Sequence, residues 1–310
     1  MNALALEPGE RTQIRAWHAI DGRRSLLRAA AFVAIWLGCA AVALAVPLLA
    51  LRLACYCIAG ACAQGLVILM HDGVHHVLFR NRVANRWVAF VCGLPAFLSV
   101  TSYRVGHFPH HRHERGARDP DEIENFSTEP RVHAALLVAL LLAGDVFGLW
   151  RVGPWNVVRA RGAERRAVAL EYALIVAAFA AAVILLPGVW LLHGWLLPSL
   201  FARQLTNVRT LAEHALTGHS RLTATRSVPS NRFVSFFMCN LNYHHVHHLY
   251  PGVPWYHLPA LHAMLAGRLE RSGAQIYRSY TAFLLDFARF VARAWGPGGR
   301  DQALTLRPAA

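Results

Sequence analysis

Eighteen of the 310 residues are histidine, and eleven of them fall in three short clusters. The first is His71-Asp72-Gly73-Val74-His75-His76. The second is His107-Phe108-Pro109-His110-His111-Arg112-His113, and the third is His244-His245-Val246-His247-His248. Reduced to spacing, they read HxxxH, HxxHH and HxxHH. Residues three and four apart share one face of a helix, so each cluster can aim two or three imidazoles at a single point. Imidazole is a borderline ligand suited to iron, zinc, copper or nickel. The eight histidines on this spacing exceed the four ligands of tetrahedral zinc, and no cysteine joins them. Eight nitrogens match two metal ions better than one. Outside the clusters, His18, His133, His193, His219, His257 and His262 read as packing or hydrogen-bonding residues.

The surrounding chain is very apolar: 55% hydrophobic, 15% charged, mean hydropathy +0.33. Residues 29–51 carry no charge in 23 positions, enough for a helix of about 35 Å, the reach of a membrane span. Arg52 interrupts briefly before a second run, Leu53 to Met70, so the pair reads as a helical hairpin with Arg52 snorkelling at its far end. A third run, Trp87 to Tyr103, is broken at Gly93-Leu94-Pro95 and reads as re-entrant or interfacial. Val132 to Gly144 is shorter and suggests a helix on the membrane surface. Residues 167–208, broken at Pro187-Gly188, give a second hairpin.

The expectation is thus an all-α, polytopic membrane protein. Four transmembrane helices form two hairpins (29–70 and 167–208), joined by a segment 71–166 that carries two clusters and the re-entrant helix. The N-terminal 1–28 and C-terminal 209–310, with the third cluster, complete a cytoplasmic helical cap. Positions 268–310 read as an amphipathic helix and a loose tail. All 31 basic residues are arginine and lie between apolar runs, the distribution of cytoplasmic loops, so both termini and 80–166 are placed inside. The net charge of +14 is therefore assigned to topology and not to nucleic acid. With four spans all three clusters reach one membrane face. Had the broken third run crossed, the second cluster would be stranded opposite. The six cysteines form no CxxC pair and read as small core or lipid-facing residues. No GxGxxG or phosphate-binding loop is present.

At the clusters the sequence resembles the integral-membrane fatty acid desaturase and hydroxylase superfamily, with its three histidine boxes. His71-Asp72-x-x-His75 with Phe79 and Asn85-Arg86-Trp87 is similar to the first box, and Tyr103-Arg104 leading to His107-x-x-His110-His111 and Asp119-Pro120-Asp121 to the second. The longest likeness runs from Asn240-Leu241-Asn242-Tyr243-His244 through His247-His248-Leu249-Tyr250-Pro251 to Pro254, Leu258-Pro259 and His262. The resemblance spans roughly 53–262. It implies two iron ions held by His71, His75, His107, His110, His111, His244, His247 and His248, with His214 of Glu213-His214 as a further ligand. His76, His113 and His245 lie off the spacing and are expected to be supporting or solvent-facing. The acids Asp72, Asp119, Asp121 and Glu213 are placed to orient imidazoles through their second nitrogen.

The resemblance further implies an oxidase that uses O2 to take hydrogen from an unactivated C–H bond, chemistry beyond any side chain. Desaturation of a fatty acyl chain is the leading expectation. Hydroxylation or ketolation of an alkane, carotenoid or other lipid is the alternative. No flavin, haem or iron–sulfur motif is present, so the electrons are expected from an external ferredoxin, rubredoxin or cytochrome-type protein, docked on arginines. The setting is a bacterial-type inner membrane with the site on its cytoplasmic face. Trp87, Trp150, Trp155, Phe236 and Phe237 are candidates for an acyl tunnel, or ordinary core packing. A non-catalytic metal transporter would need polar residues at span centres, where only Gln64 stands out.

Overall fold

The computed structural model describes residues 4, 6–299 and 302–306, and among these the architecture is all helical, with one isolated bridge, Ser227 to Ile276. Helix α1 (Pro8–Trp17) precedes a long antiparallel pair, α2 (Gly22–Ala45) and α3 (Leu49–Val74). The turn between them is closed by Arg52, whose Nε donates to the Val46 carbonyl at 2.8 Å. That bond satisfies a C-terminal carbonyl of α2 and explains the lone charge. Helix α3 is the central rod, because its small residues let neighbours approach backbone to backbone. A Cβ at Gly60 would fall 2.7 Å from the Pro198 carbonyl oxygen, and one at Gly65 would fall 2.4 Å from the Phe32 ring.

After α3 the chain makes an excursion and returns. Helix α4 (Arg82–Gly93) starts at Asn81, whose side chain accepts from the amides of Val83 and Ala84. It breaks at Leu94–Ala96 and turns by 94° into α5 (Val100–His113). His75 before the excursion and His107 after it lie in contact, with Nε2 atoms 2.8 Å apart. The two legs therefore leave and re-enter the same region, as the Gly93-Leu94-Pro95 break leads one to expect.

Helix α6 (Pro130–Trp150) bends at Ala143 (φ −141°, ψ 21°) and runs through a wide π turn (Arg151–Trp155) into the short α7 (Asn156–Arg159). The expected surface helix ended at Gly144, whereas the helix continues past the bend. Helix α8 (Gly162–Leu185) follows. Residues 188–214 then form one long helical stretch: α9 (Gly188–Leu191), a π turn (Leu192–Leu196) and α10 (Leu197–His214). Around the π turn the Trp36 indole N–H donates to the Gly194 carbonyl at 2.5 Å, and that of Trp195 to Pro95 at 3.0 Å.

By length and composition three helices, α2, α3 and α8, suffice to cross a membrane, or four if α4–α5 counts as one bent span. The chain is a membrane protein, but 188–214 is not among the qualifying helices. Its C-terminal half is too polar, and the reason is packing. Gln204 and Asn207 both donate to the Leu141 carbonyl, at 3.1 and 3.4 Å, beside the bend in α6.

The C-terminal third wraps the site end: α11 (Arg232–Phe237), α12 (His244–Leu249), α13 (Leu258–Arg271) and α14 (Tyr280–Trp295). Phe283, Phe287, Phe290 and Ala294 of α14 pack with Leu137 of α6 and Leu211 of α10 in a second core. The tail expected to be loose is tied in over its described part: Leu306 is buried, its amide donates to Leu216, and its carbonyl accepts from Gln275 at 2.5 Å. A second correction concerns Trp87, Trp150 and Trp155, which are 44%, 49% and 40% exposed. These exposures exclude a place in the buried core for any of the three.

Candidate metal centre

Each histidine box is aimed by buried polar contacts from elsewhere in the chain. The first box is the last turn of α3. Buried Asn85 clamps it, donating to the Gly73 carbonyl at 2.7 Å and accepting from the amides of Leu78 and Phe79 at 3.1 and 3.2 Å. The second box lies on α5, whose start is fixed by Glu171 of α8. That carboxylate accepts from Ser99 Oγ (2.7 Å), the Thr101 amide (2.9 Å) and Thr101 Oγ1 (2.7 Å), and pairs with Arg86 at 3.2 Å. The third box is α12 itself. The loop before it is held by Asn242, which exchanges backbone and side-chain bonds with Val228 at 2.7 and 3.1 Å.

His214 ends α10, and fully buried Arg226 fastens that end. Its guanidinium donates to the carbonyls of Ala212 (2.6 Å), Ala215 (3.1 Å) and Leu216 (3.3 Å), and to Gln275. A cation at a helix C-terminus is stabilised by the aligned peptide dipoles. Burial pulls its pKa down to about 10, so it stays charged at neutral pH.

The nine histidines expected at the site all converge, and they divide into two adjoining groups. His71, His75, His107, His111 and His247 offer nitrogens that lie within 4.8 Å of one another. Within that group His107 Nε2 is 2.8 Å from His75 Nε2 and 2.9 Å from His111 Nε2. In the second group His244 Nε2 lies 2.9 Å from both His214 Nε2 and His248 Nε2, and the His110 ring sits 4.8 Å from that of His214. The groups touch where His111 and His248 stack at 4.0 Å.

This packing is costly without a cation. Two nitrogens in contact can share at most one hydrogen bond, and both ring nitrogens of His71 and Nε2 of His247 are buried with no partner at all. Burial, reinforced by neighbouring imidazoles, holds His247 and His248 far below the ordinary histidine range, as it does His244. They are neutral at pH 7, the state that binds metal. Ligands about 2.1 Å from one ion stand about 3.0 Å apart at right angles and about 3.4 Å apart at tetrahedral angles. The closest pairs, at 2.8–2.9 Å, lie near the former, and five nitrogens within 4.8 Å of one another exceed a tetrahedral set.

The acidic residues differ in what they do. Asp119 meets His110 Nδ1 at 2.9 and 3.1 Å, and Asp121 stands 3.6 Å from the same atom. Glu213 is 3.5 Å from His244 Nδ1 and is paired with Arg209 at 2.9 Å. Asp72 stands 3.8 Å from His71 Nδ1 and instead accepts from the Trp255 amide at 3.2 Å. Sequence reasoning missed Glu114, whose Oε1 lies 2.8 Å from His248 Nδ1, misaligned for a hydrogen bond, and which falls within the second group. No spacing rule marks it; its only signal is a carboxylate directly after a box. Of the off-spacing histidines, His245 is fully buried with both nitrogens unpartnered, while His76 and His113 are partly exposed.

Residues 49–280 match the fatty acid desaturase family. The chain belongs to that family. All nine converging histidines fall inside the matched stretch. Among curated relatives, an sn-1 oleoyl-lipid 12-desaturase of Arthrospira platensis is 24% identical over 223 residues, covering 64% of this chain and 64% of the relative. A beta-carotene ketolase of a Paracoccus species is 31% identical over 205 residues, covering 63% and 73%. A sphingolipid delta(4)-desaturase/C4-monooxygenase of Rattus norvegicus is 29% identical over 216 residues, covering 66% and 62%. The match thus spans somewhat under two thirds of the first and third of these relatives. Family membership and homologous lipid desaturases support an oxidoreductase with a membrane-embedded, lipid-directed role, and the histidine groups are compatible with a metal centre.

Proposed function

We propose that this chain is a diiron oxidase that uses O2 and external electrons to desaturate a fatty acyl chain or related lipid. The observation that carries the reading is the division of nine imidazoles, from α3, α5, α10 and α12, into two adjoining groups of five and four. His71, His75, His107, His111 and His247 would hold one iron, and His110, His214, His244 and His248 the other. Iron bound there would supply, with O2, an oxidant strong enough to take hydrogen from a methylene group. The chain's own residues orient and shield: Asp119 sets the ring of His110, Glu114 stands beside that of His248, and Asn85, Glu171 and Arg226 fix the helices that would carry the ligands. Two electrons beyond those of the substrate must arrive from a carrier protein, since the chain has no motif for a second redox group.

Four spans, with the centre on the cytoplasmic face, remain the topology that the arginine distribution supports. Oxygen insertion is a second reading, favoured by the carotene ketolase relative at 31% identity. Desaturation and insertion use the same iron pair and differ in the fate of the substrate radical. The deciding experiment is anaerobic metal analysis followed by O2-dependent lipid turnover, repeated on His247→Ala. About two irons per chain, lost together with turnover in the variant, is the expected result. Mass spectrometry of the product separates loss of two hydrogens from gain of one oxygen. Turnover that persists in an iron-free preparation would defeat the proposal.

A further inference from the structure

The last carbonyls of a helix find no partner within it. At the end of α10 that need is met by three residues distant in the chain. The Ala212 carbonyl accepts from Arg226 at 2.6 Å, and that of Ala215 accepts from the same guanidinium at 3.1 Å. The Leu216 carbonyl, two residues past His214, accepts from three donors: Arg226 at 3.3 Å, the Gln275 side-chain amide at 3.4 Å and the Leu306 amide at 2.9 Å. Leu216 is fully buried and holds φ at 57°, a conformation that a non-glycine residue keeps only where its surroundings enforce it. Gln275 joins the set from both ends. Its oxygen accepts from Arg226 Nε at 2.9 Å, and its nitrogen donates to the carbonyl of buried Leu306 at 2.5 Å.

Arg226 itself has a fixed footing. Its guanidinium stands 5.1 and 5.0 Å from the ring centroids of Tyr277 and Phe283. Next to it, Ser227 accepts from the His245 amide at 3.2 Å through its hydroxyl and from the Tyr277 amide at 3.1 Å through its carbonyl. The bonds of Arg226, Gln275 and Leu306 reach the end of α10 and one another, and none goes to α3 or α5, which carry four of the five-histidine group. Leu306 also lies outside residues 49–280, the stretch that matches the family. We propose that residues 302–306 form a strap that positions His214. Leu306, acting with Gln275 and Arg226, holds the end of α10 where His214 Nε2 stands 2.9 Å from His244 Nε2 and its ring 4.8 Å from that of His110. The inference rests on the two-iron reading above, and adds that the strap serves the four-histidine position alone.

Two variants of the full-length protein test the strap. Leu306→Pro removes the amide that donates to Leu216. Gln275→Glu keeps an acceptor for Arg226 and removes the donor to Leu216 and Leu306. In metal-free protein, hydrogen exchange over residues 211–217 should quicken about 2–10-fold in both variants, with the last turn of α3 unchanged. In iron-loaded protein, chelator should take the first iron at an about 10-fold lower concentration and the second at the wild-type concentration, and Mössbauer spectra should show one of two iron signals altered. Thr305→Ala, at an exposed position of the same segment, should behave as the wild type. Unchanged exchange and unchanged release in both variants overturn the proposal. So does loss of both irons in step with a lower melting temperature, which would make the segment a general brace. If Leu306→Pro does not fold, Gln275→Glu decides by the same readouts. A wild-type protein that binds no metal would defeat the two-iron reading, while faster exchange at 211–217 in the variants would still establish the strap, so the two failures are distinguishable.

Discussion

Replacing Asp119 by Asn should weaken one of the two metal positions and spare the other. Asp119 is 5% exposed, and its two oxygens serve different donors. Oδ1 accepts from His110 Nδ1 at 2.9 Å and from the Asp121 amide at 2.9 Å, while Oδ2 accepts from the Arg115 amide at 3.0 Å and stands 3.1 Å from His110 Nδ1. An amide keeps only one of these acceptors. If its oxygen stays on His110, the NH2 faces the Arg115 N–H, donor against donor; flipped, it faces two donors. The better orientation still exchanges a charge-assisted bond to imidazole for a neutral one about half as strong. Loss of such a partner typically lowers metal affinity 10–100-fold, about 1.4–2.7 kcal/mol. Because His110 belongs to the four-histidine group alone, the loss should fall on one ion. Chelator titration with metal analysis should show the wild type releasing two irons, and Asp119→Asn giving up the first of its two at a 10–100-fold lower chelator concentration. Release of both irons from the variant in step, or a titration that matches the wild type, would refute the assignment of Asp119 as an orienting group for a single site.

Two further outcomes follow from packing and from charge. Gly65→Ala places a methyl 2.4 Å from the Phe32 ring and 2.8 Å from the Phe237 carbonyl, so thermal unfolding in detergent should show a loss of about 1–3 kcal/mol. Gly38→Ala, with nothing within 4 Å of the new Cβ, should not be destabilised, and equal losses in both would refute the crowding argument. Acid should release the metals. His244, His247 and His248 have folded pKa values pulled below the free value, so the native state binds fewer protons than the unfolded chain. Stability therefore falls as pH drops below about 6.5, and bound iron falls with it. Dialysis between about pH 7.5 and pH 5, followed by metal analysis, checks the sign, and a flat profile would contradict it.

The convergence of the box histidines was legible because imidazoles three and four apart on a helix share a face. The bend between α4 and α5 was legible from Gly93-Leu94-Pro95, where the apolar run breaks. His214 was reached only through resemblance, for a single histidine at a helix end carries no periodic signal. Glu114 was invisible because it acts on His248, more than a hundred positions away in the chain. The apolar reading of 167–208 marks the break at Pro187-Gly188 and not the polar contacts of α10. Hydropathy averages over Gln204 and Asn207, whereas the structure turns both onto the carbonyl of Leu141. The fate of the tail was equally non-local: Leu306 is buried only because Leu216 and Gln275 offer it backbone and side-chain partners.

Strain and burial at the centre point in one direction. All six non-glycine residues with positive φ among those described, His76, Phe97, Arg115, Leu216, Cys239 and Asn240, lie within five residues of a helix that carries the converging histidines. Such conformations cost of order 1–3 kcal/mol each and persist only where the surroundings over-determine them. The surroundings here are the cores on either side, together with Asn85, Asp119, Arg226 and Asn242, whose bonds close the turns at which the strain sits. Four of the imidazoles those turns deliver, His71, His244, His247 and His248, are themselves left with buried, unpartnered nitrogens, and a cation would satisfy a lone pair on each. Holding nine imidazoles in contact is therefore work done by the rest of the fold. A metal bound at so prepared a site would lose little of its binding free energy to reorganisation, and the remainder would appear as added stability of the loaded protein.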